Sequence, residues 1–439
     1  MQLQKRQPLT HSLLIIGYVW PEPNSSAAGT RMMQLIELLQ SQNWNITFSS
    51  PSTQGEHRTD LSALEIEEHP IELNNESFDT FIQRLAPEMV IFDRFMMEEQ
   101  FGWRVEKHAP NALRVLNTED LHSLRAVRQQ CVKEALKETQ QSIDIDALDL
   151  HNKDELFRQM AQTDLAKREI SAIFRCDLSL MISEFEHAFL VSHFQVPSRQ
   201  LCYLPFLYPE SALSKPTNND YDFRQHFVVI GNFRHEPNWD AVLWLKQSIW
   251  PKIRAELPNA ELHIYGAYPP KKATQLHNEK QGFKVLGWTE DAFEVLSQAR
   301  VCLAPLRFGA GIKGKLAESM LCGTPSVTTS IGSESMLNSA NDNWSGRVAN
   351  TPEDFAAAAI TLYQDKTLWQ AAQKTGTALV KSRYLKPQPQ QAHFITQYET
   401  LISTLTQHRQ QNFMGAILNH HHHKSTQYMA QWIEAKNRP

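Results

Sequence analysis

Short apolar runs alternate with longer amphipathic stretches along this chain, and the alternation starts afresh midway; no other feature restricts the fold as much. Leu13, Leu14, Ile15 and Ile16 read as a buried strand ending at Gly17. Residues 30–42 follow with apolar positions at Met33, Leu35, Ile36, Leu38 and Leu39, the spacing of a helix. Further strands are expected at 45–49, 89–93, 114–117, 177–183 and 201–206. Strand, helix and strand in this rhythm make βαβ units and a mostly parallel sheet. A polar segment at 214–223 reads as a linker. Beyond it the rhythm restarts, with strands expected at 227–231, 261–266, 283–287, 301–305 and 325–329.

A chain of 439 residues is longer than one core usually supports, so two domains are expected, 1–213 and 224–385. A helical tail, 386–439, follows the break at Lys386, Pro387, Gln388 and Pro389. Two doubly wound α/β halves leave a cleft at the carboxyl ends of their strands, where open sheets bind ligands. The charged stretch 122–175 reads as two helices separated near 143–154, forming a mobile insertion.

The formal net charge of −5 lacks the basic footprint of a nucleic-acid binder, so an anionic ligand must be held by local groups. The five cysteines, Cys131, Cys176, Cys202, Cys302 and Cys322, are scattered and odd in number, which argues against disulfides and a cysteine zinc site. No apolar run is long enough to cross a bilayer, and a cytoplasmic protein is expected. His420, His421, His422 and His423 point around a helix instead of converging, so they read as a solvated segment and no metal site is expected. Met429, Trp432 and Ile433 are expected to dock the tail by an apolar face.

The chemistry concentrates at 305–325. A strand end leads into a loop carrying Gly309, Gly311 and Gly314 with Lys313 and Lys315, then a helix closed by Gly323 and Pro325. Glycines admit a ligand close to backbone N–H groups, and a helix start adds unpaired donors and a positive dipole end. With two ammonium groups this suits a diphosphate, and Glu318, one turn on, can accept from the vicinal hydroxyls of a ribose. A plain strand-to-helix connection is the alternative on local grounds. Arg234 follows the strand ending at Gly231, where a guanidinium suits phosphate oxygens, and Asn238 is the expected cap of the next helix.

Residues 311–325, with 326–332 after them, resemble the donor-binding segment of family 4 glycosyltransferases. Glu318 matches the second glutamate of that family's paired motif, which holds the ribose. The first falls at 310, where this chain has Ala310, and the Gly-Ile-Lys-Gly-Lys variant, with Ile312 inside it, resembles a branch that lacks this glutamate. Arg234 matches the family's phosphate arginine, with Lys313 standing in for the lysine that usually follows. Gly29 and Arg31 match the loop after the first strand, which faces the donor phosphate. Asp120 stands where relatives carry a His-Asp pair, with Glu119 in the histidine's place and His122 two residues on. The segment Ser183, Glu184, Phe185, Glu186 is similar to a strand-end serine pattern, though a helix cap is its simpler reading.

The resemblance implies the GT-B fold, two Rossmann-like domains around a cleft, and retaining transfer from a nucleotide-diphosphate sugar without a metal or cofactor. Arg234, Lys313 and Asp120 would be catalytic. Gly29, Arg31, Gly309, Ala310, Gly311, Ile312, Gly314, Lys315 and Glu318 would bind the donor. The acceptor would be a glycan or lipid-linked intermediate, with peripheral contact at the inner membrane face left open and no nucleic-acid partner. A non-catalytic sugar- or nucleotide-binding protein and a non-hydrolysing nucleotide-sugar epimerase are the other readings.

Overall fold

The computed structural model describes residues 11–139, 143–213, 220–337 and 342–437. The first sheet contains β1 (His11–Ile16), β2 (Trp44–Ser50), β3 (Glu67–Pro70), β4 (Met89–Asp93), β5 (Leu113–Asn117), β6 (Leu178–Met181) and β7 (Leu201–Tyr203). All pair in parallel, in the order β3-β2-β1-β4-β5-β6-β7. Successive side chains alternate between two cores. Leu14, Ile16, Val90 and Phe92 enter one, while Leu13, Ile15, Met89 and Ile91 enter the other. Burial on both faces explains why these strands read as unbroken apolar runs.

The second sheet contains β8 (Gln225–Ile230), β9 (Leu262–Tyr265), β10 (Phe283–Gly287), β11 (Ala299–Ala304), β12 (Ser326–Thr328) and β13 (Gly346–Val348). Its order is β10-β9-β8-β11-β12-β13, again parallel. In each sheet the order reverses between two central strands, β1 and β4 in the first, β8 and β11 in the second. Those are the switch points where a doubly wound sheet opens a crevice. The polar or very short edge strands β3 and β13 carry no apolar run and were not expected.

Among its described residues the insertion holds three α-helices, not two, His122–Thr139, Lys153–Met160 and Asp164–Arg175, with a 3-10 turn at Asp146–Leu148. Asn152 and Thr163 cap the second and third, accepting from Glu155 N and Ala166 N. The segment is not a free flap. Val132, Ile143, Ile145 and Leu150 share a core with Phe227, Val242, Trp250 and Ile264 of the second domain. Residues 214–219 of the expected linker lie outside the described residues.

After Tyr384 the chain returns to the first domain. The helix Pro389–Gln410 buries Phe394, Tyr398 and Leu401 in one of the first sheet's two cores. The helix Phe413–Asn437 lies against Phe95–His108 and Asp164–Arg175. Met429 and Trp432, expected to dock this tail, are instead 58% and 59% exposed, while Ile433 is half-buried and Gly415, Asn419 and Ala430 are among the residues turned inward. His420 and His421 are exposed, and the side chains of His422 and His423 lie outside the described residues. Among the described residues no helix is long and apolar enough to cross a membrane.

Candidate functional site

Beyond β11 the chain runs through residues 305–313 into the helix Gly314–Leu321. Two glycines let this loop press against the first domain. Gly311 has φ +63°, and a Cβ there would lie 2.9 Å from Asp120 Cβ; at Gly314 it would lie 2.6 Å from Ala27 Cβ. The Gly311 N–H donates to Glu186 Oε1 at 2.6 Å. The Gly309 carbonyl accepts from Arg128 Nη1 at 2.8 Å and the Gly311 carbonyl from Lys313 Nζ at 2.9 Å. Ala310 packs, half-buried, against a first-domain core, while Ile312 is buried beside Ile182, Phe206 and Leu316.

The two lysines are placed differently. Lys313 is buried and turned onto the loop's own carbonyl, in the field of Glu334 and Arg128. Lys315 is half-buried; its Nζ donates to Asn238 Oδ1 at 2.6 Å and lies in front of Gly231, where a Cβ would sit only 2.7 Å away. Burial pushes both ammonium groups down to about 8. Glu318 follows Lys315 by three residues, hence on the same helix face. Tyr208 OH donates to its Oε1 at 3.5 Å, and burial pushes the carboxyl up to about 7.

The helix after β8 starts at Glu236, two residues before the expected cap, because Pro237 is preorganised for a first turn. Asn238 is thereby left free to bridge two segments. Its amide donates to Asn232 O at 2.9 Å and its carbonyl holds Lys315. Arg234 is exposed, with its guanidinium 3.6 Å from the Tyr268 ring centroid.

The first domain supplies the facing wall. Ser26 caps the helix Ala27–Ser41 by accepting from Gly29 N at 3.1 Å. Arg31, one turn further, is buried; its Nη1 donates to Pro205 O at 3.0 Å, while Nε and Nη2 find no acceptor among the described residues. Burial lowers its pKa against the pull of Glu119. Asp93, at the end of β4, accepts from Tyr18 N and Asn117 Nδ2, each at 3.3 Å. Glu119 accepts from the same Asn117 amide at 2.7 Å, and burial with the Asp93 charge pushes it up to about 8.

Asp120 pairs with Arg125 and lies 3.4 Å from His122 Nε2. Burial alone would raise its pKa, but Arg125 and then His122 hold it below the usual carboxylate range. His122 thus stays at the site as the first residue of its helix, and burial pushes it down to about 4.

The two domains also touch across the mouth of the cleft. Tyr268 OH donates to Glu22 Oε1 at 2.9 Å, Trp288 Nε1 donates to Asn24 O at 3.2 Å, and His57 stacks on Trp288 at 4.1 Å. Arg128, Glu186, Tyr208 and Tyr268 were not singled out as site residues. Tyr268, just past the end of β9, was open to the strand-end rule. Glu186 lay in a segment read as a helix cap, which it is: Ser183 accepts from its N–H at 3.4 Å.

Residues 224–365 match the family model described as glycosyl transferases group 1. No curated protein matches the chain. Among solved structures, sucrose-phosphate synthase from Thermosynechococcus elongatus is similar at 15% identity and a TM-score of 0.63, over 90% of this chain and 100% of that one. HepE from Anabaena, solved with UDP and glucose, is similar at 12% identity and a TM-score of 0.59, over 90% and 100%. WaaG, a glycosyltransferase of lipopolysaccharide biosynthesis, is similar at 14% identity and a TM-score of 0.55, over 84% and 95%. With two doubly wound parallel sheets facing across a cleft, the chain has the GT-B fold, and its residues 224–365 match the group 1 glycosyl transferases.

Proposed function

We propose that this chain is a glycosyltransferase that binds a nucleotide-diphosphate sugar in the cleft and passes the sugar, with retained configuration, to a glycan or lipid-linked acceptor. The observation that carries this reading is the pair Lys315 and Glu318 on one helix face, with the ammonium held before Gly231 and the carboxylate one turn on. That spacing suits a pyrophosphate followed by a ribose. The structure of HepE with UDP and glucose makes UDP the first nucleoside diphosphate to try.

In the transfer, the acceptor hydroxyl bonds to the anomeric carbon, the bond from that carbon to the phosphate oxygen breaks, and the hydroxyl proton passes to the leaving diphosphate. The protein's part is to stabilise the growing phosphate charge and hold the two substrates in line. Lys315 is the nearest fixed cation, and Arg234 reaches the same strand ends once it leaves Tyr268. Lys313 acts through the loop it closes. On the facing wall, the two unpartnered nitrogens of Arg31, Nε and Nη2, are each expensive to bury, at about 1–3 kcal/mol. Together with Asp93 and Glu119 they suit the hydroxyls of a polyol acceptor.

The test is thermal stabilisation by a panel of nucleosides and nucleoside diphosphates, since a ligand bound to the native state raises apparent stability. Glu318→Ala should lower affinity for nucleoside and diphosphate alike by roughly ten- to a hundredfold, the worth of a charge-assisted hydrogen bond. Undiminished binding in that variant would remove the ribose assignment and the reading with it.

A pH profile follows from the same groups. Glu318 carries its charge above about pH 7, and Lys315 keeps its charge below about pH 8. Affinity for a nucleoside diphosphate is therefore expected to peak between pH 7 and 8 and to fall on both sides. Glu318→Gln should flatten the acid limb and Lys315→Arg the alkaline one; a profile that neither substitution alters would refute the assignment.

A further inference from the structure

At the end of the second sheet remote from the cleft, three side chains converge from neighbouring strands. His226 lies near the start of β8, while His263 of β9 and Glu261, the residue just before that strand, lie two residues apart. Parallel pairing sets His226 level with Glu261, since Phe227 pairs with Leu262 and Val228 with His263. Both imidazoles turn to one carboxylate oxygen: His263 Nε2 is 2.8 Å from Glu261 Oε2, and His226 Nε2 is 3.7 Å from it. One ligand atom from each residue falls within 4.8 Å of the others.

We propose that His226, His263 and Glu261 form a zinc site, with the fourth position open to water. Tetrahedral zinc with bonds of about 2.0–2.2 Å to nitrogen and oxygen needs ligand atoms about 3.3–3.6 Å apart. Two of the three separations here, 2.8 and 3.7 Å, bracket that range, and the third, between the imidazoles, is within 4.8 Å, so side-chain rotations would draw the set together. Two imidazoles and a carboxylate are a borderline donor set suited to zinc, not to magnesium or calcium, which favour all-oxygen shells. All three residues are partly exposed, which leaves a path for the ion.

Without the ion, Lys284 provides the positive charge, its Nζ lying 2.8 Å from Glu261 Oε1. Zinc on Oε2 would work against that ammonium, and the metal would clip β8 to β9 without reaching the cleft.

The experiment is a zinc titration of the full chain against a chromophoric chelator. It uses a background carrying His420→Asn, His421→Asn, His422→Asn and His423→Asn, so that the tail imidazoles do not compete. One equivalent should bind and raise the melting temperature. His263→Gln should weaken binding by roughly a hundredfold, the upper end of what losing even an outer-shell partner does. Lys284→Met should tighten it roughly tenfold by removing a like charge nearby. Glu261→Gln, which keeps the side chain's shape, should weaken it as His263→Gln does and guards against a folding defect in either variant. Absence of that equivalent, or binding indifferent to both His263→Gln and Glu261→Gln, overturns the site.

Discussion

Replacing Arg128 with methionine is expected to destabilise the protein by about 3–5 kcal/mol, because it strands a buried carboxylate. Arg128 is fully buried in the helix His122–Thr139 and grips Glu334 of the second domain through Nη1 at 2.8 Å and Nη2 at 2.7 Å. Its Nε donates to Leu150 O at 2.9 Å, and Nη1 also reaches Gly309 O at 2.8 Å. One guanidinium therefore ties the insertion, the glycine loop and Glu334 together. Glu334 is shared with only one other described partner of this kind, the half-exposed His151, 2.9 Å away, which cannot make up for the lost bidentate pair. Arg128→Met combined with Glu334→Met should recover part of the loss, since no unpaired charge then remains. Chemical denaturation measures both; a single variant less than about 1 kcal/mol below the parent would show that the pair holds little.

The second large effect concerns the leaving group. Lys315→Met should lower sugar release from a nucleotide-sugar donor by roughly 10²–10³-fold, as loss of one fixed donor to a developing oxyanion does elsewhere. Affinity for the bare nucleoside should fall far less, because Lys315 faces Gly231 and Asn238 and acts on the ribose side only through its charge on Glu318. The contrast with Glu318→Ala, which acts on nucleoside and diphosphate together, separates phosphate from ribose along one helix. Equal losses of nucleoside and diphosphate affinity in Lys315→Met would place that ammonium elsewhere.

The architecture was legible because its central strands are buried on both faces and therefore write themselves as apolar runs, as in Leu13 to Ile16 or Met89 to Phe92. β3, with the sequence Glu-Glu-His-Pro, lies at a sheet edge and is half-solvated, so composition hides it. Helix starts were less secure. Asn238 has the chemistry of a cap, yet Pro237 begins the helix earlier, and the asparagine serves Lys315 instead. At the site, the neighbourhood of Lys315 and Glu318 was readable from a three-residue spacing on a helix. The grip of Arg128 on Gly309 was not, because it joins segments far apart in the chain and leaves no local pattern. The tail shows the opposite error: Met429 and Trp432 are apolar by composition, yet the helix turns them to solvent.

The return of the tail also bears on how the protein is made. Phe394, Tyr398 and Leu401 fill a core they share with side chains of β1, β2, β4, β5 and β6, and Arg409 grips Asp177 at 2.8 and 2.7 Å. The first domain thus stays unfinished until the second domain and the helix Pro389–Gln410 that follows it have been made. At usual elongation speeds that interval is roughly ten to forty seconds, during which the flank awaiting those three side chains stays bare. The second domain, begun later, has its own strands in hand sooner, so the order of completion runs against the order of synthesis.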